Sequence, residues 1–176
     1  LRSACGEDAA EFVLQAEPLG TGHAVRMAEP ALSDFEGQIL ILYGDTPLLR
    51  ASTLDRMRAH KLESQAELVV LTAMGDAPGR IVRGAEGGIQ SIVESQDASP
   101  EQLALTERNT GVYLIDSELL WPALASIEDD NESGEFYLTD VVAYAVKGGH
   151  RVEGLLIEDA DEGLGINTRG DLATAN

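Results

Sequence analysis

The chain is short of cysteine, aromatic residues, histidine and basic residues, and each shortage excludes a class of structure or partner. Cys5 is the single cysteine, which rules out an internal disulfide and a cysteine-based zinc site. One unpaired cysteine fits a reducing cytoplasmic setting. The histidines, His23, His60 and His150, are far apart and lack metal-ligand spacing. Aromatics make up 5%, so aliphatic side chains must build the core. No apolar run approaches the ~20 residues of a membrane span, and Arg2, Glu7 and Asp8 interrupt any secretory-type stretch. Twelve basic residues face 31 acidic ones, for a net charge of −19. Such a surface repels nucleic acid and anionic membranes, so neither is expected as a partner. A small anionic ligand stays compatible, because backbone N–H groups or a bound cation reverse the field locally.

What is present reads as one α/β domain over all 176 residues. Ile39-Leu40-Ile41-Leu42-Tyr43-Gly44-Asp45 is an apolar run ending in glycine and aspartate, as in a parallel strand buried on both faces. Ser52 or Thr53 is placed to cap a helix reaching about Glu63. Glu67 to Met74 is a second buried strand, and two strands flank the turn Gly84 to Gly88. Gly111 to Ile115 is a strand with Asn109-Thr110 at its entrance. Leu119 to Ile127 is helical, and Thr139 is placed to cap a helix from Asp140 to Lys147, closed by Gly148-Gly149. A strand from Arg151 to Ile157 and a helix from Arg169 complete the alternation. Strands alternating with helices predict a doubly wound, mainly parallel, Rossmann-like sheet. Glu158 to Glu162 reads as a solvated acidic loop.

Leu14-Gln-Ala-Glu-Pro-Leu-Gly-Thr-Gly-His-Ala24 combines a side-chain amide with a glycine-flanked Thr21 ahead of a helical run. An amide donates and accepts at once and so suits a nucleobase edge, glycines admit close backbone approach, and a helix start favours anions. Glycine spacing alone fits an ordinary turn into a helix better, since Val25 stands where a dinucleotide fingerprint needs glycine. Asp45, at a strand's carboxyl end, is either a ligand for a hard divalent cation or a turn cap. Asn167, in Gly165-Ile166-Asn167-Thr168, either joins it on the metal or caps the following helix. Glu94 and Asn109, beside strands, have the chemistry to hydrogen-bond a sugar.

In order, these strings resemble a known family. Gln15 to Ala24, Leu42-Tyr43-Gly44-Asp45-Thr46-Pro47-Leu48, Ile92-Val93-Glu94, Asn109-Thr110-Gly111, Gly134 to Asp140 and Gly165 to Arg169 are similar to the uridylyltransferase domain of bacterial bifunctional N-acetylglucosamine-1-phosphate uridyltransferase/glucosamine-1-phosphate acetyltransferase. The resemblance runs from about Phe12 to the end and implies a nucleotide-diphospho-sugar transferase fold. It implies that Gln15, Gly20 and Thr21 hold the uridine, with Tyr43 and Gly44 beside the nucleotide. Asp45 and Asn167 would hold Mg2+ and be the catalytic pair. Gly79, Glu94 and Asn109 would hold the N-acetylglucosamine part. The implied ligands are UTP, N-acetylglucosamine 1-phosphate and UDP-N-acetylglucosamine, in a cytoplasmic enzyme. The implied reaction is in-line attack on the α-phosphate with release of pyrophosphate.

The family pattern has two further parts. A glycine-rich loop and a Pro-Lys pair cradle the triphosphate, and no such string stands before Leu14, so further residues are expected ahead of Leu1. A β-helix acetyltransferase domain, through which the parent protein would form a homotrimer, has no counterpart in the sequence. Asp76-Ala77-Pro78 also replaces the family's usual Gly-Tyr ahead of Gly79-Arg80. A sugar-nucleotide-binding piece without turnover, or an enzyme for another sugar nucleotide, therefore stand as alternatives.

Overall fold

A computed structural model of the chain describes residues 10–75 and 78–174; Cys5 and the pair Asp76-Ala77 lie outside the described residues. Six strands form one mixed sheet: β1 (Gln38–Ile41), β2 (Leu68–Met74), β3 (Gly79–Arg83), β4 (Ile89–Glu94), β5 (Glu107–Asp116) and β6 (Val152–Leu156). The strand order is β4-β3-β5-β2-β6, and β1 also pairs with β5. Strands β1, β2, β3 and β6 run one way, whereas β4 and β5 run the other. The hairpin at Gly84–Gly88 reverses the chain, which is why β5 is antiparallel to its neighbours and β2–β6 is the parallel ladder.

Helices cover both faces, as a doubly wound α/β fold requires. On one face, α4 (Ser117–Ser126) and α5 (Asp140–Lys147) set Leu120, Leu124 and Val142 against Val70, Tyr113 and Ile115. On the other, α2 (Ala51–Ser64) sets Met57 against Val69, Leu71 and Leu114. Short helices α1 (Thr21–Arg26), α3 (Pro100–Leu103) and α6 (Arg169–Thr174) lie in the connections. Every residue of β2 except Met74 is buried, because β5 and β6 flank it and both helical layers cover it. Each such Val or Leu contributes roughly 1.5–3 kcal/mol of apolar burial. No helix among the described residues is long and apolar enough to cross a membrane.

Three local readings change. The β1 run is not buried on both faces: its residues alternate exposed and half-buried, and Leu40 and Leu42 reach solvent. Helix α2 starts without a side-chain cap, because the Thr53 hydroxyl donates to Glu162 Oε2 at 2.5 Å instead. Glu162 is thus buried, although its neighbours in the acidic run are more open, and Glu158 is solvated beside Arg56. Thr139 likewise precedes α5 without capping it and donates to Glu94 Oε1 at 3.3 Å.

Candidate active site

One edge of β5 is shared end to end. β1 pairs with residues 113–116, and β3 pairs at Arg108. Between those contacts β5 bulges: Val70 faces Tyr113 while Thr72 faces Asn109, so Leu71 spans three residues of β5. Gly111 takes φ +80 at the bulge. Bulges re-aim side chains and are common at functional sites. Here the bulge opens the edge between β1 and β3, and Asn109-Thr110 lie inside β5 rather than at its entrance.

A cleft of about 400 Å³ lies over this gap, with Tyr43, Asp45, Gly79, Glu94, Asn109 and Asn167 on its walls. A second concavity of about 370 Å³ is lined by Thr21, Ala24, Val25, Leu42, Tyr43, Gly44 and Asp45. Tyr43 and Asp45 line both and so stand at their common boundary. The Tyr43 ring lies against Gly111, where any Cβ would come within 2.5 Å of Tyr43 Cδ2. Burial raises the Tyr43 phenol pKa, hydrogen bonding with Thr21 draws it partly back, and Glu94 and Asp45 push it further up.

Asp45 is not the turn cap. Thr46 closes the turn by donating its hydroxyl to the Tyr43 carbonyl at 3.0 Å. Asp45 Oδ1 is buried without a hydrogen-bond partner, an arrangement that costs free energy unless another group completes it. The Asp45 carbonyl accepts from Ile166 N at 2.8 Å, which brings the 165–167 segment alongside. Asp45 Oδ2 and Asn167 Nδ2 both lie 3.4 Å from the point where a Cβ on Gly165 would stand.

Nor does the Asn167 side chain cap α6. Thr168 Oγ1 accepts from Asp171 N at 3.1 Å, and Asp171 Oδ2 accepts from Thr168 N at 2.7 Å and Asn167 N at 3.0 Å. Hydrogen bonding from the Asn167 and Thr168 backbone N–H groups, together with the Thr168 hydroxyl, holds the Asp171 carboxyl pKa below its ordinary value. The Asn167 amide is left beside Asp45, and rotation about its χ2 would present Oδ1 to a cation shared with Asp45. One carboxylate oxygen and one amide oxygen fit a hard divalent ion that completes its shell with phosphate and water.

Asn109 and Gly79, expected to hold a sugar, also serve the strand. Asn109 Oδ1 accepts from Gly111 N at 3.0 Å, and its Nδ2 donates to the buried Tyr113 hydroxyl at 2.6 Å. Burial pushes the Tyr113 phenol well above its ordinary range. Gly79 is buried against Asn109, and a Cβ there would stand 3.1 Å from Asn109 Cβ and 3.6 Å from Glu94 Oε1. Gln15 and Gly20 line neither concavity. Gln15 Nε2 lies 3.1 Å from the Gly20 carbonyl, to which it donates, and 2.9 Å from His23 Nδ1. At the start of α1, Gly22 N donates to the Phe136 carbonyl at 2.8 Å, so this N–H is spent within the protein and not on an anion. Thr21 Oγ1 accepts from Leu138 N at 3.0 Å. Arg108 and Gly163, to which the sequence assigns no role, also line the cleft; Arg108 stands in the polar first half of β5, between Glu107 and Asn109, where the pattern does not set it apart.

Residues 6–163 match the family described as Nucleotidyl transferase. The chain belongs to that family. This nucleotidyl transferase chain is 46% identical over 172 residues to the Bifunctional protein GlmU of Streptococcus suis (strain 98HAH33), covering 96% of this chain and 37% of that protein. It is 46% identical over 178 residues to the Bifunctional protein GlmU of Brevibacillus brevis (strain 47 / JCM 6285 / NBRC 100599), covering 99% of this chain and 38% of that one. The chain thus spans well under half the length of these curated relatives. The nucleoside-diphosphate-sugar pyrophosphorylase from Vibrio cholerae RC9 shares the fold, with a TM-score of 0.68 at 15% identity over 92% of this chain and 66% of that one.

Electrostatics around Glu94 in the cleft give a testable pH dependence. Burial raises the Glu94 carboxyl pKa, Thr139 offsets part of that by hydrogen bonding, and Asp140 and Asp97 add repulsion. A carboxyl whose folded pKa exceeds its unfolded value binds more protons when folded, so stability falls as pH rises through that interval. Glu94→Gln is therefore expected to raise the unfolding midpoint at pH 7. It is also expected to flatten the decline that begins in the ordinary carboxylate range. Unfolding followed from pH 4 to 8 checks this; parallel profiles for the two proteins would reject the assignment.

Proposed function

We propose that this chain carries the uridylyltransferase step, making UDP-N-acetylglucosamine and pyrophosphate from UTP and N-acetylglucosamine 1-phosphate. The observation that carries the reading is the buried, unpartnered Asp45 Oδ1 beside Asn167, at the boundary of two concavities. Thr21, Tyr43 and Gly44 belong to the nucleotide side, and Gly79, Glu94 and Asn109 to the sugar side. Gln15 and Gly20 shape the nucleotide side through the turn they brace.

Asp45 and Asn167 would hold Mg2+. When bound, that ion supplies charge neutralisation on the phosphates. A nucleotide in one concavity and a sugar phosphate in the other would meet at Asp45, which is the alignment an in-line displacement needs. In that displacement a phosphate oxygen of the sugar 1-phosphate bonds to the UTP α-phosphorus. The bond from that phosphorus to the bridging oxygen breaks, and pyrophosphate leaves with the electron pair. Tyr43, held on Gly111, fixes the boundary between the two substrates, while Glu94 accepts hydrogen bonds from sugar hydroxyl or amide groups.

The test is pyrophosphate release from UTP and N-acetylglucosamine 1-phosphate with Mg2+. A folded protein that releases none overturns the reading. One observation favours binding without turnover: Arg108 is the single basic residue among the described residues lining the two concavities, and it donates to two backbone carbonyls. Calorimetric binding of UDP-N-acetylglucosamine without pyrophosphate release would select that second reading.

A further inference from the structure

Asn167 belongs to a segment with few regular contacts of its own. Its own N–H donates to Asp171 Oδ2 at 3.0 Å, and the other contacts that fix it stand before it, between Asp159 and Gly165. Arg108 projects from β5 with 8% of its surface exposed. Its Nη1 donates to the Gly163 carbonyl and its Nη2 to the Ala160 carbonyl, both at 3.0 Å. The planar fork thus spans one short 3-10 turn and ties it to the strand that carries Asn109.

From the opposite side, Glu162, 5% exposed, accepts from Thr53 Oγ1 at 2.5 Å and from Arg50 Nη1 at 3.1 Å. Arg50 Nη2 also reaches Asp159 Oδ2 at 2.6 Å. Gly163 leaves no room for slack, since a Cβ there would stand 2.7 Å from Thr110 Cγ2. Three residues beyond this clamp, Ile166 N bonds the Asp45 carbonyl, and Asn167 follows.

We propose that Arg108 and Glu162 are positioning residues that clamp the 159–165 turn from its two sides and so hold Asn167 at Asp45. This rests on the reading of Asp45 and Asn167 as a divalent-cation pair. Neither Arg108 nor Glu162 touches the cation. Neither bonds Asp45 or Asn167; each acts through the backbone that leads to Asn167, one step further out than a ligand's direct partner, whose loss typically weakens metal binding about 10–100-fold.

The experiment is titration of the protein with Mn2+ in the presence of UDP-N-acetylglucosamine, with free Mn2+ read by electron paramagnetic resonance. Wild type is compared with Asp45→Asn, Arg108→Met, Arg108→Lys and Glu162→Gln. Arg108→Met is expected to weaken Mn2+ binding by up to about tenfold, the low end for a ligand's direct partner, and Glu162→Gln to weaken it by a smaller factor. Arg108→Lys, which keeps the charge and one donor direction, is expected to recover part of the loss. Uridine binding measured in chelator should stay within about twofold of wild type, because the nucleotide side does not contact the clamp.

Mn2+ binding unchanged in Asp45→Asn would overturn the cation pair itself. Binding lost in Asp45→Asn but unchanged in folded Arg108→Met and Glu162→Gln would overturn the positioning proposal alone. If Arg108→Met fails to fold, Glu162→Gln with Arg108→Lys decides: weaker Mn2+ binding in both supports the clamp, and wild-type binding in both rejects it.

Discussion

Asp45→Asn is expected to slow Mg2+-dependent pyrophosphate release by about a thousandfold while leaving the unfolding midpoint near wild type. Among the described residues, Asp45 carries the only charged group that lines both concavities. A metal's charge stabilisation in a transition state is worth several kcal/mol, and about 4 kcal/mol corresponds to that factor. Stability should barely change, because Oδ1 has no intramolecular partner to lose and the fold uses the Asp45 backbone carbonyl, which asparagine keeps. Steady-state assays across Mg2+ concentration, paired with thermal unfolding, separate these outcomes. Turnover within threefold of wild type at every Mg2+ concentration would remove Asp45 from the reaction.

The contrast between Asp45 and Asn109 shows how far the residues speak for themselves. Asp45 ends an apolar run, so its place at a strand's carboxyl end followed from the pattern, and the structure put it there beside Asn167. Whether it capped the turn was not legible, because that depended on Thr46, whose hydroxyl competes for the same job. Asn109 was legible as a residue near the site but not as a strut. Its amide is committed to Gly111 and Tyr113 by a bulge that no periodicity reveals. Periodicity reports which face a residue takes, and a bulge breaks that correspondence over two residues.

Long-range polar pairs were also hidden. Thr53 sits at a helix start, and local preference makes it a cap; the structure gives its hydroxyl to Glu162, 109 residues away. The same partner buries one acid of a run that reads as solvent-facing. Strand direction failed for a related reason. The β2 run announced burial on both faces without stating which neighbour would be antiparallel, and the hairpin after β3 decided that.

The glycines around Thr21 give the second large effect, and they separate packing from ligand contact. Gly20→Ala is expected to destabilise the fold by about 3 kcal/mol. Gly20 has φ 109 and ψ 172, a region essentially closed to other residues at a cost of about 1–3 kcal/mol. Its new Cβ would also stand 2.6 Å from the Phe136 carbonyl oxygen and 2.9 Å from Phe136 N. Those two backbone groups already bond Gly22 N and the Leu19 carbonyl, so moving them sacrifices bonds worth about 0.5–1.5 kcal/mol each. Gly22→Ala should cost less, about 1–2 kcal/mol, because its closest clash is the mobile Ile127 Cδ1 end. Gly44→Ala should stay within about 0.5 kcal/mol, since nothing lies within 4 Å of its Cβ position. At about 2–4 °C per kcal/mol for a chain of this size, Gly20→Ala should lower the midpoint by roughly 6–12 °C. Urea and thermal unfolding of the three variants test the ranking. If Gly20→Ala were no less stable than Gly44→Ala, the docking of the Leu19–Gly22 turn on Phe136 would not be what holds Thr21 at the wall of the second concavity.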